Sequence, residues 1–211
     1  MSIHSDEFAA ILEELQRKPL EINKYRVKSG NGRSQTFGLV NRRSLPPDYS
    51  RQCWKRPLLY KRLLDFAEKH VTIPYNAITL NQNYCAQPHR DKGNTGLSYL
   101  VAFGSYTGGK LKMHEGPLEG SHDICGNSII ANFSSTTHSV ESFEGQRYSL
   151  VFYTLDLFKR FKYSDIPPPC VKEVDGKWIF FRGDEPITDG LPHPLKGKIV
   201  KITEPIEISF E

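Results

Sequence analysis

The sequence predicts a mainly β domain with flanking helices, an α+β arrangement whose core is a double-sheet jelly roll or a barrel. Three observations predict it: two helix-type periodicities confined to the first third of the chain, six β-type runs after residue 76, and turn residues between those runs. Residues 5–16 place Phe8, Ile11, Leu12 and Leu15 on one helical face, with Ser5 positioned to cap. Residues 20–52 are polar, basic and broken by Gly and Pro, which predicts short strands and loops. A second helix is expected from Pro57 to about Lys69, because proline suits a first helical turn and Leu59, Leu63, Phe66 and Ala67 share a face. The runs NAITLNQNY, GLSYLVAFG, GGKLKMH, NSIIANF, HSVESF and QRYSLVFYTL then read as strands separated by Gly, Asn, Asp and Ser. Beyond them come a Pro-rich crossing, DIPPPC, a turn, EVDGKW, and KGKIVKITEPIEISFE, which reads as one or two more strands.

Nothing divides the 211 residues into separate units, so one domain is expected. It comprises a helical, basic part over 1–75, a β core over 76–156, and strands and loops over 157–211. No apolar run approaches the roughly 20 residues of a membrane span. The start, MSIHSDEFAAILEEL, lacks the basic-then-apolar pattern of a signal peptide, so an intracellular setting (cytoplasm or nucleus) and no membrane partner are expected. The four cysteines, Cys53, Cys85, Cys125 and Cys170, are scattered without a C-x-x-C, which argues against a zinc knuckle or a disulfide framework. A monomer is expected. The net charge of +4 is modest, yet between Arg17 and Arg62 thirteen Lys/Arg face two acids, Glu21 and Asp48. Aromatics and amides interleave with these basics, a composition that suits a polyanion such as nucleic acid as well as a merely solvated surface.

The stretch QPHRDKGN, residues 87–94, sets His89 and Asp91 two apart. On extended chain they face one side and Arg90 faces the other. A facial site for non-haem Fe(II) needs one more histidine, and His138 on a later β-type run supplies it. His114, His122 and His193 lie in turn-like contexts and His70 ends a helix. A second His-x-Asp, His4 and Asp6, opens a helix, where positions i and i+2 diverge. Nine residues beyond His138, Arg147 and Ser149 again stand two apart, on an otherwise apolar strand. A buried arginine is costly unless a carboxylate awaits it, and its planar fork can hold one through two hydrogen bonds. Asn83 and Tyr84, on the strand before the metal residues, are further candidates to reach a co-substrate.

Carried by His89-x-Asp91, His138 and Arg147-x-Ser149, the region 76–156 resembles the Fe(II)/2-oxoglutarate-dependent dioxygenases, a superfamily with a double-stranded β-helix (jelly roll) core. Within it the chain is most similar to the TET/JBP group, since HRDKGN matches that group's His-Arg-Asp-x-x-Asn pattern and RYSLVFY its co-substrate strand. The resemblance implies catalytic iron ligands His89, Asp91 and His138, with Fe(II), 2-oxoglutarate and O2 as cofactor and co-substrates and ascorbate as a stimulant. It implies that Arg147 and Ser149 hold the distal carboxylate of 2-oxoglutarate. It also implies oxidation of the methyl of a 5-methylpyrimidine (5-methylcytosine or thymine) in nucleic acid, with Asn94 contacting the target base. A base in duplex DNA must be flipped out to reach such a site. Arg33, Gln35, Arg42 and Arg43 are the residues expected to hold the strand, mainly through phosphates. TET enzymes carry a cysteine-rich zinc-binding region ahead of this core, where the present chain has a compact basic part. The competing expectation is a hydroxylase of a protein side chain or a small molecule.

Overall fold

The computed structural model describes residues 5–21, 30–42, 47–156 and 169–187. Helix α1 (Ser5–Arg17) buries Phe8, Ile11 and Leu15, the spacing expected of an amphipathic helix lying on a core. Helix α3 (Pro57–His70) buries Leu59, Tyr60, Leu63, Phe66 and Ala67 and begins with its proline at the first turn. Between them a five-residue helix, α2 (Arg51–Lys55), is capped by Ser50, whose hydroxyl accepts from the Gln52 N–H at 3.2 Å. The sequence pattern did not predict α2.

Six strands form one antiparallel sheet in the order β2-β1-β3-β9-β4-β7. They are β1 (Gly30–Val40), β2 (Asp48–Tyr49), β3 (Ala77–Ala86), β4 (Asn94–Gly108), β7 (Ser128–Ala131) and β9 (Phe143–Leu155). A second sheet, order β6-β5-β8, contains β5 (Leu111–Met113), β6 (Gly120–His122) and β8 (His138–Val140). The two sheets make a jelly roll, as the pattern from residue 76 predicts. The larger sheet is covered on both faces. One face sends Leu80, Val101, Leu150 and Phe152 against the helices, where Phe8 stacks on Phe103 at 4.3 Å between ring centroids. The other sends Leu100, Ala102 and Val151 toward the smaller sheet, where they meet Leu111, Met113 and Phe133. Those two faces read as continuous apolar runs in β4 and β9 because consecutive residues are buried on opposite sides.

The polar stretch expected to be short strands and loops contains an eleven-residue strand, β1. Its pairing with β3 from Gly30↔Ala86 to Gly38↔Ala77 holds it, and it hides polar as well as apolar side chains: Ser34, Gln35 and Phe37 are all buried. Late in the chain, β10 (Pro169–Val174), β11 (Lys177–Arg182) and β12 (Glu185–Ile187) form a meander. Its first turn is Asp175-Gly176, both residues at positive φ, as a tight hairpin demands. Phe180 of β11 packs edge-on against Tyr49, and Arg182 donates to the buried Asp48, so the meander is pinned beside α2 and β2. The strands expected over 196–211 lie outside the described residues. Among the described residues no helix is long and apolar enough to cross a membrane.

Candidate metal centre and co-substrate pocket

His89 follows the end of β3, and His138 opens β8. The two residues pair directly: the His89 N–H donates to the His138 carbonyl at 3.0 Å, and the reverse bond is 2.9 Å. Asp91 is fixed by its own N–H, which donates to the Phe133 carbonyl at 2.9 Å. This backbone stitching gathers three ligand atoms that all lie within 4.8 Å of one another. His89 Nε2 is 3.6 Å from Asp91 Oδ1, and His138 Nε2 is 4.0 Å from Asp91 Oδ2. The Nδ1 atoms are already engaged, His89 with the Gln87 carbonyl at 2.7 Å and His138 with the Thr136 carbonyl at 3.1 Å. A carbonyl accepts, so each Nδ1 carries a proton, and Nε2, on the Asp91 side, is the nitrogen left to ligate a metal. Burial of His138 lowers its pKa, outweighing the Thr136 carbonyl and Asp91, which both raise it; the imidazole is thereby kept in its neutral, metal-binding form.

The remaining described histidines are occupied elsewhere. His114 Nε2 lies 2.9 Å from the Ser139 hydroxyl, His122 Nε2 lies 2.7 Å from the Leu118 carbonyl, and His70 sits beside Glu7. His4 and His193 lie outside the described residues.

Arg147 and Ser149 project from β9 into the same pocket as the three ligands. Arg147 is 2% exposed, yet among the described residues no carboxylate pairs with it. Its Nε donates to the Gly109 carbonyl at 3.1 Å, and its guanidinium lies 5.5 Å from the Tyr106 ring centroid and 5.7 Å from that of Phe143. Gly109 is indispensable to that fit. Its φ is +67°, and a Cβ there would stand 2.9 Å from the Arg147 Cδ. Desolvation pulls the arginine's pKa down, although the neighbouring Tyr106 opposes it.

The strand before the metal residues departs from the expected pairing of Asn83 with Tyr84. Tyr84 lines the pocket and is 7% exposed. Asn83 does not line it. It adopts φ +50° at a bulge where the β1–β3 register slips between Asn31 and Arg33, and Gly32 packs on its carbonyl too closely to admit a Cβ. The Asn83 Oδ1 instead accepts from the Arg147 backbone N–H at 2.8 Å, so this residue supports the arginine rather than a ligand. Asn81 takes the pocket position. Its Nδ2 donates to the Ser149 hydroxyl at 3.2 Å, and its Oδ1 is buried without a partner. The amide turned over would accept from Ser149 and aim two N–H groups into the pocket. Alternation could have suggested Asn81, but only the bulge decides which asparagine faces inward.

On the substrate side, the Asn94 Nδ2 donates to Asp91 Oδ2 at 3.4 Å, beside the metal ligands and half-buried. Of the residues expected to grip phosphates, Gln35 and Arg42 are held by partners, whereas Arg33 stays exposed. Gln35 is buried, and its Oε1 accepts from Arg56 at 3.2 Å. Arg33 donates to the Leu20 carbonyl at 2.9 Å. Gln35 pairs with Leu80, which packs on the helices, whereas the adjacent Asn81 faces the pocket; strand alternation therefore points Gln35 away from the metal. Arg42 is ion-paired with the buried Asp48. Arg43 lies outside the described residues.

No protein-family model matches the chain, and no curated protein matches it. Solved structures do. NgTET1 in complex with 5mC DNA superposes with a TM-score of 0.51 at 14% identity, covering 72% of this chain and 67% of that one. A 2OG-Fe(II) oxygenase family oxidoreductase from Burkholderia pseudomallei superposes with a TM-score of 0.51 at 17% identity, covering 71% of this chain and 78% of that one. The chain has the fold of a 2OG-Fe(II) oxygenase. Within this oxygenase fold the donor set suits Fe(II): two imidazoles and one carboxylate, with His89 and Asp91 each more than a quarter exposed. The pocket also suits a keto-dicarboxylate. A buried cation lacking a carboxylate and an asparagine with a spare polar atom line it together with the metal-ligand candidates.

Proposed function

We propose that the chain is an Fe(II)/2-oxoglutarate-dependent dioxygenase that hydroxylates a C–H bond, most specifically the 5-methyl group of a pyrimidine in nucleic acid. The observation that carries the enzymatic part is the single pocket joining the His89, Asp91 and His138 triad to a buried, carboxylate-free Arg147. His89, Asp91 and His138 would hold the metal. Arg147, Ser149 and Asn81 would bind the distal carboxylate, and Tyr84 would wall the pocket. Bound there, Fe(II), 2-oxoglutarate and O2 supply the oxidant that cleaves the C–H bond, with 2-oxoglutarate consumed to succinate and carbon dioxide. The chain's own contribution is placement and dryness: Phe133, Leu100 and Val151 line the pocket wall, and the Asn94 amide donates to Asp91.

The nucleic-acid substrate is supported by the His-Arg-Asp-x-x-Asn pattern over residues 89–94 and by the placement of Asn94 beside the ligands. The likeness to NgTET1, solved with 5mC DNA, is in keeping with it. A second reading, hydroxylation of a protein side chain or a small molecule, is favoured by one observation: Gln35 and Arg42 are committed to intramolecular partners. Incubation with Fe(II), 2-oxoglutarate and ascorbate, followed by mass spectrometry of digested 5-methylcytosine-containing and thymine-containing oligonucleotides, decides between them. Oxidised base with stoichiometric succinate, both lost in His89→Ala, is the expected result. Succinate formed with peptides or metabolites but with no oligonucleotide transfers the proposal to the second reading, and no succinate under any condition overturns the oxygenase.

A further inference from the structure

Arg90, the residue between two of the proposed ligands, is turned away from the metal but is not idle. Its Nε donates to the Thr137 hydroxyl at 3.0 Å, and its Nη2 donates to Glu115 Oε1 at 2.7 Å. The same carboxylate oxygen accepts from the Thr137 backbone N–H at 2.7 Å. These three contacts close a ring around Thr137, the residue immediately before His138. From the other side the His114 N–H donates to the Thr137 carbonyl at 2.9 Å, continuing the β5–β8 pairing. Thr137 is therefore held through its N–H, its carbonyl and its hydroxyl. The Glu115 carboxyl is drawn down to a pKa of about 2, first by its hydrogen bonds from Thr137 and then by Arg90, so the ring is charged at neutral pH.

The location gives the ring its meaning. Residues 132–137 form no regular strand, and on the inner side the ligand segments are joined by the His89↔His138 bridge and by the Asp91 N–H to the Phe133 carbonyl. Arg90 joins the same segments on the outer side. Metal sites tolerate only small errors in ligand placement, and the groups that orient ligands shift affinity without touching the ion. Arg90 and Glu115 are both 44% exposed, and exposed ion pairs contribute little to global stability, so the effect of this ring is local.

We propose that Arg90 and Glu115 are positioning residues: the Arg90–Glu115–Thr137 clasp holds His89 and Asp91 in register with His138 and so sets the affinity for the divalent metal. The proposal rests on the metal reading, and its test separates the two. The full chain is titrated with Mn(II), with free ion followed by electron paramagnetic resonance, and thermal unfolding of each variant is recorded without metal. The wild type binds. Arg90→Ala and Glu115→Ala each weaken binding about tenfold, the lower end of the range for groups that orient ligands. Because both belong to one ring, the double variant is no weaker than the worse single one. Glu115→Gln, which keeps an acceptor oxygen for Thr137 and Arg90, stays within about twofold, and Thr137→Val falls between. Unfolding midpoints stay together across the set. Wild-type affinity in Arg90→Ala and Glu115→Ala, or losses that simply add in the double variant, overturns the clasp. A wild type that binds no Mn(II) overturns the metal reading, and the clasp with it.

Discussion

Replacing Arg147 by methionine separates what this residue does for the fold from what it does for the co-substrate. Burying a cation costs several kcal/mol even after local relaxation. Against that, Arg147 has one hydrogen bond to Gly109 and two aromatic neighbours, worth about 1 kcal/mol each. The methionine would forfeit about 3 kcal/mol of contacts and leave the buried Gly109 carbonyl without a donor, a further cost of about 1–3 kcal/mol. Relief of the buried charge is of the same size, so the predicted net change in the ligand-free protein is within about 1.5 kcal/mol. With co-substrate the outcome differs. At a hundredfold excess over its Kd, 2-oxoglutarate with Mn(II) should stabilise the wild type by about 2.7 kcal/mol, and Arg147→Met by less than about 0.5 kcal/mol. Urea unfolding with and without 2-oxoglutarate measures both numbers. A ligand-free loss of about 3 kcal/mol or more, the size seen when a buried ion pair is broken, would refute the account of Arg147 as a cation awaiting its partner. Undiminished stabilisation by 2-oxoglutarate in the variant would refute it equally.

Gly109→Ala forces a left-handed backbone on alanine and sets its Cβ 2.9 Å from the Arg147 side chain; unfolding should show a loss of about 1–2 kcal/mol, and the response to 2-oxoglutarate should shrink as well. Asp48→Ala strips the shared partner from Arg42 and Arg182 and should cost about 3 kcal/mol by urea denaturation, a loss under about 1 kcal/mol showing that the meander docks without it. The Glu115 carboxyl has its pKa lowered to about 2, and because it is exposed the stability it adds is small; that increment is fully present above its ordinary pKa of 4.5 and drains away as pH falls from there toward 2. Carboxyl-carbon NMR should find it still ionised at pH 4 in the wild type, and Thr137→Val should move its midpoint up further than Arg90→Ala does.

Local chemistry made much of this protein legible. The helices over 5–17 and 57–70 and the strands after residue 76 follow from periodicity, which reports a neighbour one turn or two residues away. The same reach covers His89 with Asp91 and Arg147 with Ser149, pairs on extended chain that the structure gathers around one pocket. Polar composition hid β1, because its burial depends on partners such as Leu80 and Arg56 that no local pattern reveals. The basic segment shows the same dependence: Arg42 is drawn into an ion pair with Asp48, while Arg33 donates to the Leu20 carbonyl and stays exposed.

Alternation and residue type alone therefore pointed to the fold class and to a set of candidate metal-ligating and anion-binding residues. Tertiary structure decided which asparagine enters the pocket, because the bulge at Asn83, opposite Gly32, resets the phase of β3 and turns Asn81 and Tyr84 inward. It also gave Arg90 a task. Strand geometry says only that this side chain leaves the metal; the long-range approach of Glu115 and Thr137 says where it goes. Contacts between residues distant along the chain cost closure entropy and form only when the whole fold compensates for it, so no local reading of the chain could supply them.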